Sequence, residues 1–171
     1  MKASNHNILE FILSKKVILV EGCAEYMLID KMFQLKTNKK ANESDVTIIS
    51  VDGISFKRYL NIAKILSLKT AVIRDNDKDY QKNCVDNYKD YFGDKIKIFS
   101  DKDNSKHTFE ISIYMNNKDI CEKLFASERK SLTVQDYMLK NKSDAAFALM
   151  ESDNELVVPD YINEAIVWIN E

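Results

Sequence analysis

Residues 16–25 read KVILVEGCAE. Val17, Ile18, Leu19 and Val20 are apolar at consecutive positions, and three of the four are β-branched. A strand with one wet face alternates apolar and polar side chains. One that is apolar throughout suits burial on both faces, as in a parallel sheet. The run stops at Glu21-Gly22. From Ala24 to about Lys36 the pattern turns helical, with Met27, Leu28 and Phe33 as apolar positions.

The same cycle repeats outward from this stretch. Val46 to Ile49 reads as a second strand, leading into Val51-Asp52-Gly53. Ser55 to Leu66 is helical, with Phe56, Leu60, Ala63 and Ile65 or Leu66 facing inward. Thr70 to Ile73 is a third strand, ending in Arg74-Asp75-Asn76-Asp77. A polar, tyrosine-bearing helix is expected over Gln81 to Phe92, then a fourth strand over Ile96 to Phe99. Upstream, Ser4 or Asn5 could cap a helix through Ile8, Leu9, Ile12 and Leu13. Downstream, helices are expected over residues 109–114, 120–125, 134–150 and 161–169. Strands alternating with helices predict an α/β, Rossmann-like fold: a mainly parallel four-stranded sheet flanked by helices, with a helical C-terminal extension.

In open parallel sheets, ligand sites lie beyond the carboxyl ends of the strands. Here each of the first three strands ends in acid. The first gives Glu21, with Glu25 four residues on; the second gives Asp52; the third gives Asp75, Asp77 and Asp79. Glu25 falls on the first turn of the following helix and can point back toward the strand end. Asp75 and Asp77 alternate in an extended segment and share a face. Any one such acid is readily explained as a helix cap or a solvated turn residue. Three strand ends in succession are not. Carboxylates gathered in a small volume either keep protons or bind a divalent cation. Oxygen donors without histidine or thiolate favour Mg²⁺ or Mn²⁺ over zinc.

Composition narrows the options. A chain of 171 residues, 45% apolar and 30% charged, suits one globular domain. Gly22, Gly53 and Gly93 are the only glycines and lie far apart, so a glycine-rich phosphate loop is absent. Gly22 and Gly53 follow Glu21 and Asp52 directly, where a missing side chain leaves room for a ligand, and Gly93 reads as a helix C-cap. Lys+Arg 25 against Asp+Glu 27 gives a net charge of −2, which supplies no general pull toward nucleic acid or an anionic membrane, although a local basic face is compatible with it. Three scattered cysteines suggest free thiols in a reducing cytosol, hence a cytoplasmic protein. Neither a membrane span nor a signal peptide is expected.

At this point the motifs resemble a known family. KVILVEGCAE at 16–25 is similar to the first motif of Toprim domains, and Asp75-Asn76-Asp77 to their D-x-D. The wording of both, with Val51-Asp52-Gly53 followed by Phe56, Lys57 and Tyr59, and AVIRDNDKD at 71–79, resembles the OLD (overcoming lysogenisation defect) family of ATP-dependent endonucleases. Relatives include the nuclease subunit of the Gabija anti-phage system. Thr108-Phe109-Glu110 resembles the family's T-L-E segment, and Lys142 with Ala145, Ala146 and Leu149 its lysine helix; Lys140 is a competing candidate. The resemblance spans about Phe11 to Met150. Cys23 and Phe109 depart from the usual residues.

The resemblance implies a metal-dependent DNA endonuclease in anti-phage defence or DNA repair. Two Mg²⁺ or Mn²⁺ ions would be held by Glu21, Glu25, Asp75, Asp77 and Glu110, with Asp75 or Glu21 bridging. Glu21 and Lys142 would be catalytic, Lys142 facing the scissile phosphate. Asp52 and Asp79 are weaker candidates. OLD proteins carry an ABC-type ATPase, yet this chain has no Walker motif. The resemblance therefore implies either the nuclease part of a longer protein or a stand-alone protein using an ATPase in trans, compatible with a homo-oligomer and without membrane attachment. ATP would act only through that separate domain. Residues 1–15 would form the connecting helix, 16–150 the catalytic domain and 151–171 a helical tail.

Three other functions compete. A phosphoacceptor receiver domain also has acids after its first and third strands and a downstream lysine, but not an E-x₃-E pair with a D-x-D. A non-enzymatic Toprim module and an RNA-cleaving Toprim nuclease fit the same motifs. Around the acids, Arg74 and Lys78 either touch phosphate or are solvated. Lys57, Arg58 and Tyr59 read as a helix exterior, and Tyr80, Tyr88, Tyr91 and Phe92 as one helix's core and edge. His107 reads as a loop residue, and Trp168 as packing in the last helix.

Overall fold

The structure is a computed structural model that describes residues 3–53, 55–128 and 131–171, with side chains from His6 onward. Four parallel strands, β1 (Lys16–Val20), β2 (Val46–Ser50), β3 (Lys69–Ile73) and β4 (Ile96–Phe99), form one sheet in the order β2-β1-β3-β4. Lys16 pairs with Val46 on one side and Lys69 on the other, so the two central strands end level with each other. The ladder runs on past β1, since the Asp52 N–H donates to the Glu21 carbonyl at 3.2 Å.

Every residue of Val17 to Val20 is buried, as consecutive apolar positions require. One face of the sheet, with Ile18, Val20, Ala71 and Ile73, is covered by α2 (Cys23–Thr37), α4 (Phe109–Asn116), α7 (Lys142–Glu151) and α8 (Asp160–Asn170). The other, with Val17, Leu19 and Val72, packs against α1 (Ala3–Leu13) and α3 (Phe56–Leu66). α5 (Lys118–Leu124) and α6 (Val134–Lys140) extend the first layer. Residues 151–171 belong to this same core: Ile162, Ala165, Ile166 and Ile169 are fully buried. At ~1.5–3 kcal/mol for each large apolar side chain buried, α8 is a major contributor to stability.

Several local expectations are corrected. α1 begins at Ala3, so Ser4 and Asn5 lie inside it rather than capping it; their side chains lie outside the described residues. Its inward residues are Phe11, edge-on to Tyr59 with ring centroids 5.2 Å apart, and Ile8; Leu9, Ile12 and Leu13 are exposed. In α3, Tyr59 turns inward with Leu60, while Ile65 and Leu66 fall on the solvent side of the helical repeat. The helix expected over 81–92 is a single π turn, Gln81–Val85, and a 3-10 turn, Asp86–Tyr88. The helical repeat yields there to side chains anchored on the neighbouring loop: Asn83 donates to the Asn76 carbonyl, and Tyr88 accepts from Arg74. Gly93 is no helix cap; it forms a tight turn, its N–H donating to the Ile96 carbonyl.

The helix expected over 134–150 is broken at Asn141. The Asn141 side-chain amide donates to the Tyr137 carbonyl at 2.9 Å and ends α6, so Lys142 opens α7. The far end of α7 is tied down by Lys31 of α2, whose ammonium donates to the carbonyls of Leu149, Met150 and Ser152. A cation at a helix C-terminus is favourable, and here it fixes α7 so that its first residue faces the strand ends.

Candidate active site

Each acid is delivered by a different element. Glu21 directly follows β1, and Glu25 sits in the first turn of α2, only 7% exposed. Gly22 between them is extended, and a Cβ there would lie 3.5 Å from Glu25 Oε2, so a larger side chain would begin at the carboxylate. Asp75 follows β3. Its backbone N–H donates to Glu21 Oε1 at 3.2 Å, and its Oδ1 accepts the Phe109 N–H of α4 at 2.7 Å. The N-terminus of a helix carries free N–H groups that favour an anion. α4 is started by Thr108, whose hydroxyl accepts the Ile111 N–H. That start places Glu110 in the first turn, 4% exposed, with Oε2 3.0 Å from the Lys142 ammonium of α7. Neither Glu110 oxygen otherwise accepts a hydrogen bond among the described residues.

Electrostatics show that these groups share one volume. Burial, then the charges of Glu21, Glu25 and Glu110, push the Asp75 carboxyl up to about 8, against a smaller opposing pull from Lys142. Burial raises Glu25, with Glu110 and Glu21 adding to it. Burial also raises Glu21, despite Arg74. Burial opposes the charge on Lys142, but Glu110 and then Asp75 and Glu25 outweigh it and hold the ammonium above the ordinary lysine range. Among the described residues, no three His, Cys, Asp or Glu side chains are arranged to hold a metal ion.

Other residues named from the sequence stand apart. Asp77 points to Arg74 Nη2 at 2.8 Å and is largely exposed. Asp79 caps the following turn, accepting the Lys82 N–H. Asp52 accepts the Ser50 hydroxyl at 2.6 Å; its backbone lies beside Glu21, but its carboxylate does not join the cluster. Asp52 and Gly53 both have positive φ, so glycine serves the turn there rather than clearance. Lys140 lies at the end of α6, whereas Lys142 pairs with Glu110. His107 touches the Ser105 carbonyl.

Residues 12–77 match the family model described as "Overcoming lysogenization defect protein-like, TOPRIM domain". Over that segment the chain is similar to an OLD-like Toprim domain. Solved structures agree on the fold. The C-terminal region of the Xanthomonas campestris pv. campestris OLD protein superposes with a TM-score of 0.67 at 20% identity, covering 92% of this chain and 95% of that one. The C-terminal region of the Burkholderia pseudomallei OLD protein gives 0.65 at 18% identity, covering 92% and 98%. Among curated proteins nothing matches.

At this site, three residues have roles that sequence reading did not give them. Arg74 is no solvated charge. Its side chain is 12% exposed, lies over the Tyr88 ring, donates to the Tyr88 hydroxyl and the Asp75 carbonyl, and stands 3.9 Å from Glu21 Oε1. Asn76, in the middle of the D-x-D, is buried; its amide donates to the carbonyls of Asp101 and Asp103, and its Oδ1 accepts the Lys78 N–H. These bonds hold a loop in which Asp77 and Lys78 both have positive φ, a conformation that costs ~1–3 kcal/mol for such residues. Asparagine's habit of bonding the backbone two residues on was the available signal. Tyr161 of α8 is buried, and its hydroxyl lies within the field of Asp75; no local pattern marks it.

Proposed function

We propose that this chain is the nuclease module of a divalent-metal-dependent DNA endonuclease, hydrolysing phosphodiester bonds with two Mg²⁺ or Mn²⁺ ions. The observation that carries the reading is the meeting of Glu21, Glu25, Asp75 and Glu110 with Lys142 beyond the strand ends, crowded enough to keep Asp75 protonated up to about 8. The donor set fits the group in kind: carboxylate oxygens suit hard cations, and Glu110 Oε1 is buried with no hydrogen-bond partner among the described residues. Glu21, Glu25, Asp75 and Glu110 would be the ligands, joined by Asp77 on release from Arg74. When bound, such ions polarise the phosphodiester and lower the pKa of an attacking water.

The chain's own residues do the rest. Phe109 N–H and Glu21 fix Asp75 from two sides. Arg74 aligns Glu21 with the D-x-D backbone. Lys142, released from Glu110, supplies positive charge where the phosphate becomes more anionic; a preorganised donor of this kind is worth ~10²–10³ in rate. We place the module in the cytoplasm, in anti-phage defence or DNA repair, with an ABC-type ATPase in cis through residues 1–15 or in trans. Among the described residues, no helix is long and apolar enough to cross a membrane.

The Lys142–Glu110 pair, which gives Glu110 a cation from the chain itself, favours one other reading, an assembly module. Calorimetric titration with Mn²⁺ at pH 8 separates them. The nuclease reading expects binding that is lost in Asp75→Asn and Glu25→Gln; no heat in the wild type leaves the assembly module.

A further inference from the structure

The end of the sheet remote from the carboxylates has a composition of its own. Lys16 opens β1 and Lys69 opens β3, and the two are partners in the parallel register. Lys95 immediately precedes β4, and its carbonyl accepts the Thr70 N–H, which extends the row by one strand. In a parallel register such neighbours project from the same face, and so does Lys97, two residues on. Three strands thus deliver four ammonium groups to one corner.

Trp168 of α8 organises that corner. The ammonium of Lys69 lies 4.9 Å from its ring centroid and that of Lys97 5.2 Å, while Phe99 packs against it at 5.8 Å. Lys16 donates to the Asn170 carbonyl at 3.2 Å, as suits a cation at a helix C-terminus. These contacts hold the lysines in place but do not neutralise them. Among the described residues, no carboxylate lies within ion-pairing distance of any of the four. At Lys69 the charge of Glu171 works against those of Lys16, Lys95 and Lys97. Lys95, just before β4, and Lys97 on it are exposed, and β4 is an outer strand of the sheet. A chain with net charge −2 therefore concentrates positive charge at one place.

We propose that Lys16, Lys69, Lys95 and Lys97, gathered around Trp168, form a contact surface for the phosphate backbone of DNA, separate from the carboxylate site. The choice of DNA rests on the nuclease reading above. Phosphate rather than base is the target, because lysines already flank the indole and the ammonium is a point donor without base selectivity. A five-residue strand spans ~16 Å, well within the ~34 Å of one duplex turn. The corner and the strand ends are thus closer together than one duplex turn. The role is to hold substrate without regard to sequence.

The test is anisotropy of a labelled 30-base-pair duplex, in EDTA so that no cleavage occurs, between 50 and 200 mM salt. Lys95→Gln/Lys97→Gln is expected to bind about five- to tenfold more weakly at 100 mM salt, with a log–log salt slope shallower by about two. Lys95→Arg/Lys97→Arg is expected to stay within twofold of wild type. Equal affinity and slope for the glutamine variant overturn the proposal. So does binding only to phosphatidylserine vesicles and not to DNA. Plasmid cleavage by wild type with lysine-insensitive binding defeats this surface alone; lysine-dependent binding without cleavage in Mg²⁺ or Mn²⁺ defeats the nuclease reading alone.

Discussion

Asp75 Oδ1 accepts the backbone N–H of Phe109 at 2.7 Å, joining the end of β3 to the first turn of α4 across 34 residues. One bond thus sets both the central acid and, one residue later, Glu110. It also explains how an acid crowded by three others is kept in place: the helix start offers it a fixed donor. Loss of the carboxylate should loosen α4 as well as the site.

The pH dependence of apo stability follows from the same crowding. The folded-state pKa of Asp75 lies at about 8, above its ordinary 3.8, so the fold favours the protonated form. That stabilisation is complete below about 4 and is lost as pH rises through 8. Thermal melting in EDTA should therefore show falling stability over this window. Asp75→Asn should flatten the profile, and added Mn²⁺ should raise stability most at the alkaline end.

Arg74 should behave as a brace rather than a surface charge. Removing a largely buried cation that serves Glu21, Asp75, Asp77 and Tyr88 should cost about 2–4 kcal/mol. Urea denaturation of Arg74→Ala checks this. Arg74→Lys should recover little, because a point ammonium cannot reproduce three directed contacts.

Lys142 and Asp77 separate the catalytic from the structural account. Lys142→Ala should cut cleavage by ~10²–10³ while leaving Mn²⁺ binding intact. Lys140→Ala should change cleavage less than twofold. Asp77→Ala, which removes only an exposed carboxylate paired with Arg74, should lose about tenfold. Single-turnover cleavage of a short labelled duplex measures all three.

The sheet was legible because burial on both faces leaves an unmistakable run of apolar residues such as Val17 to Val20. The acids Glu21, Glu25 and Asp75 were legible because a parallel sheet aligns its strand ends. Glu110 and Lys142 came through the family resemblance, and the structure brings them together at 3.0 Å. What was hidden depends on contacts distant in sequence. The helix expected over 81–92 gives way to Tyr88 bonding Arg74, and the break at Asn141 follows from one side-chain amide. Tyr161 comes within the field of Asp75 only because α8 folds back onto the sheet.

Nicking of supercoiled plasmid in Mg²⁺ or Mn²⁺ at pH 8 tests the central claim most directly. Wild type should convert the plasmid to open-circle or linear product, while Glu25→Ala and Asp75→Ala, each shown folded by circular dichroism, should fall at least a hundredfold. Cleavage by both variants at the wild-type rate would contradict the account.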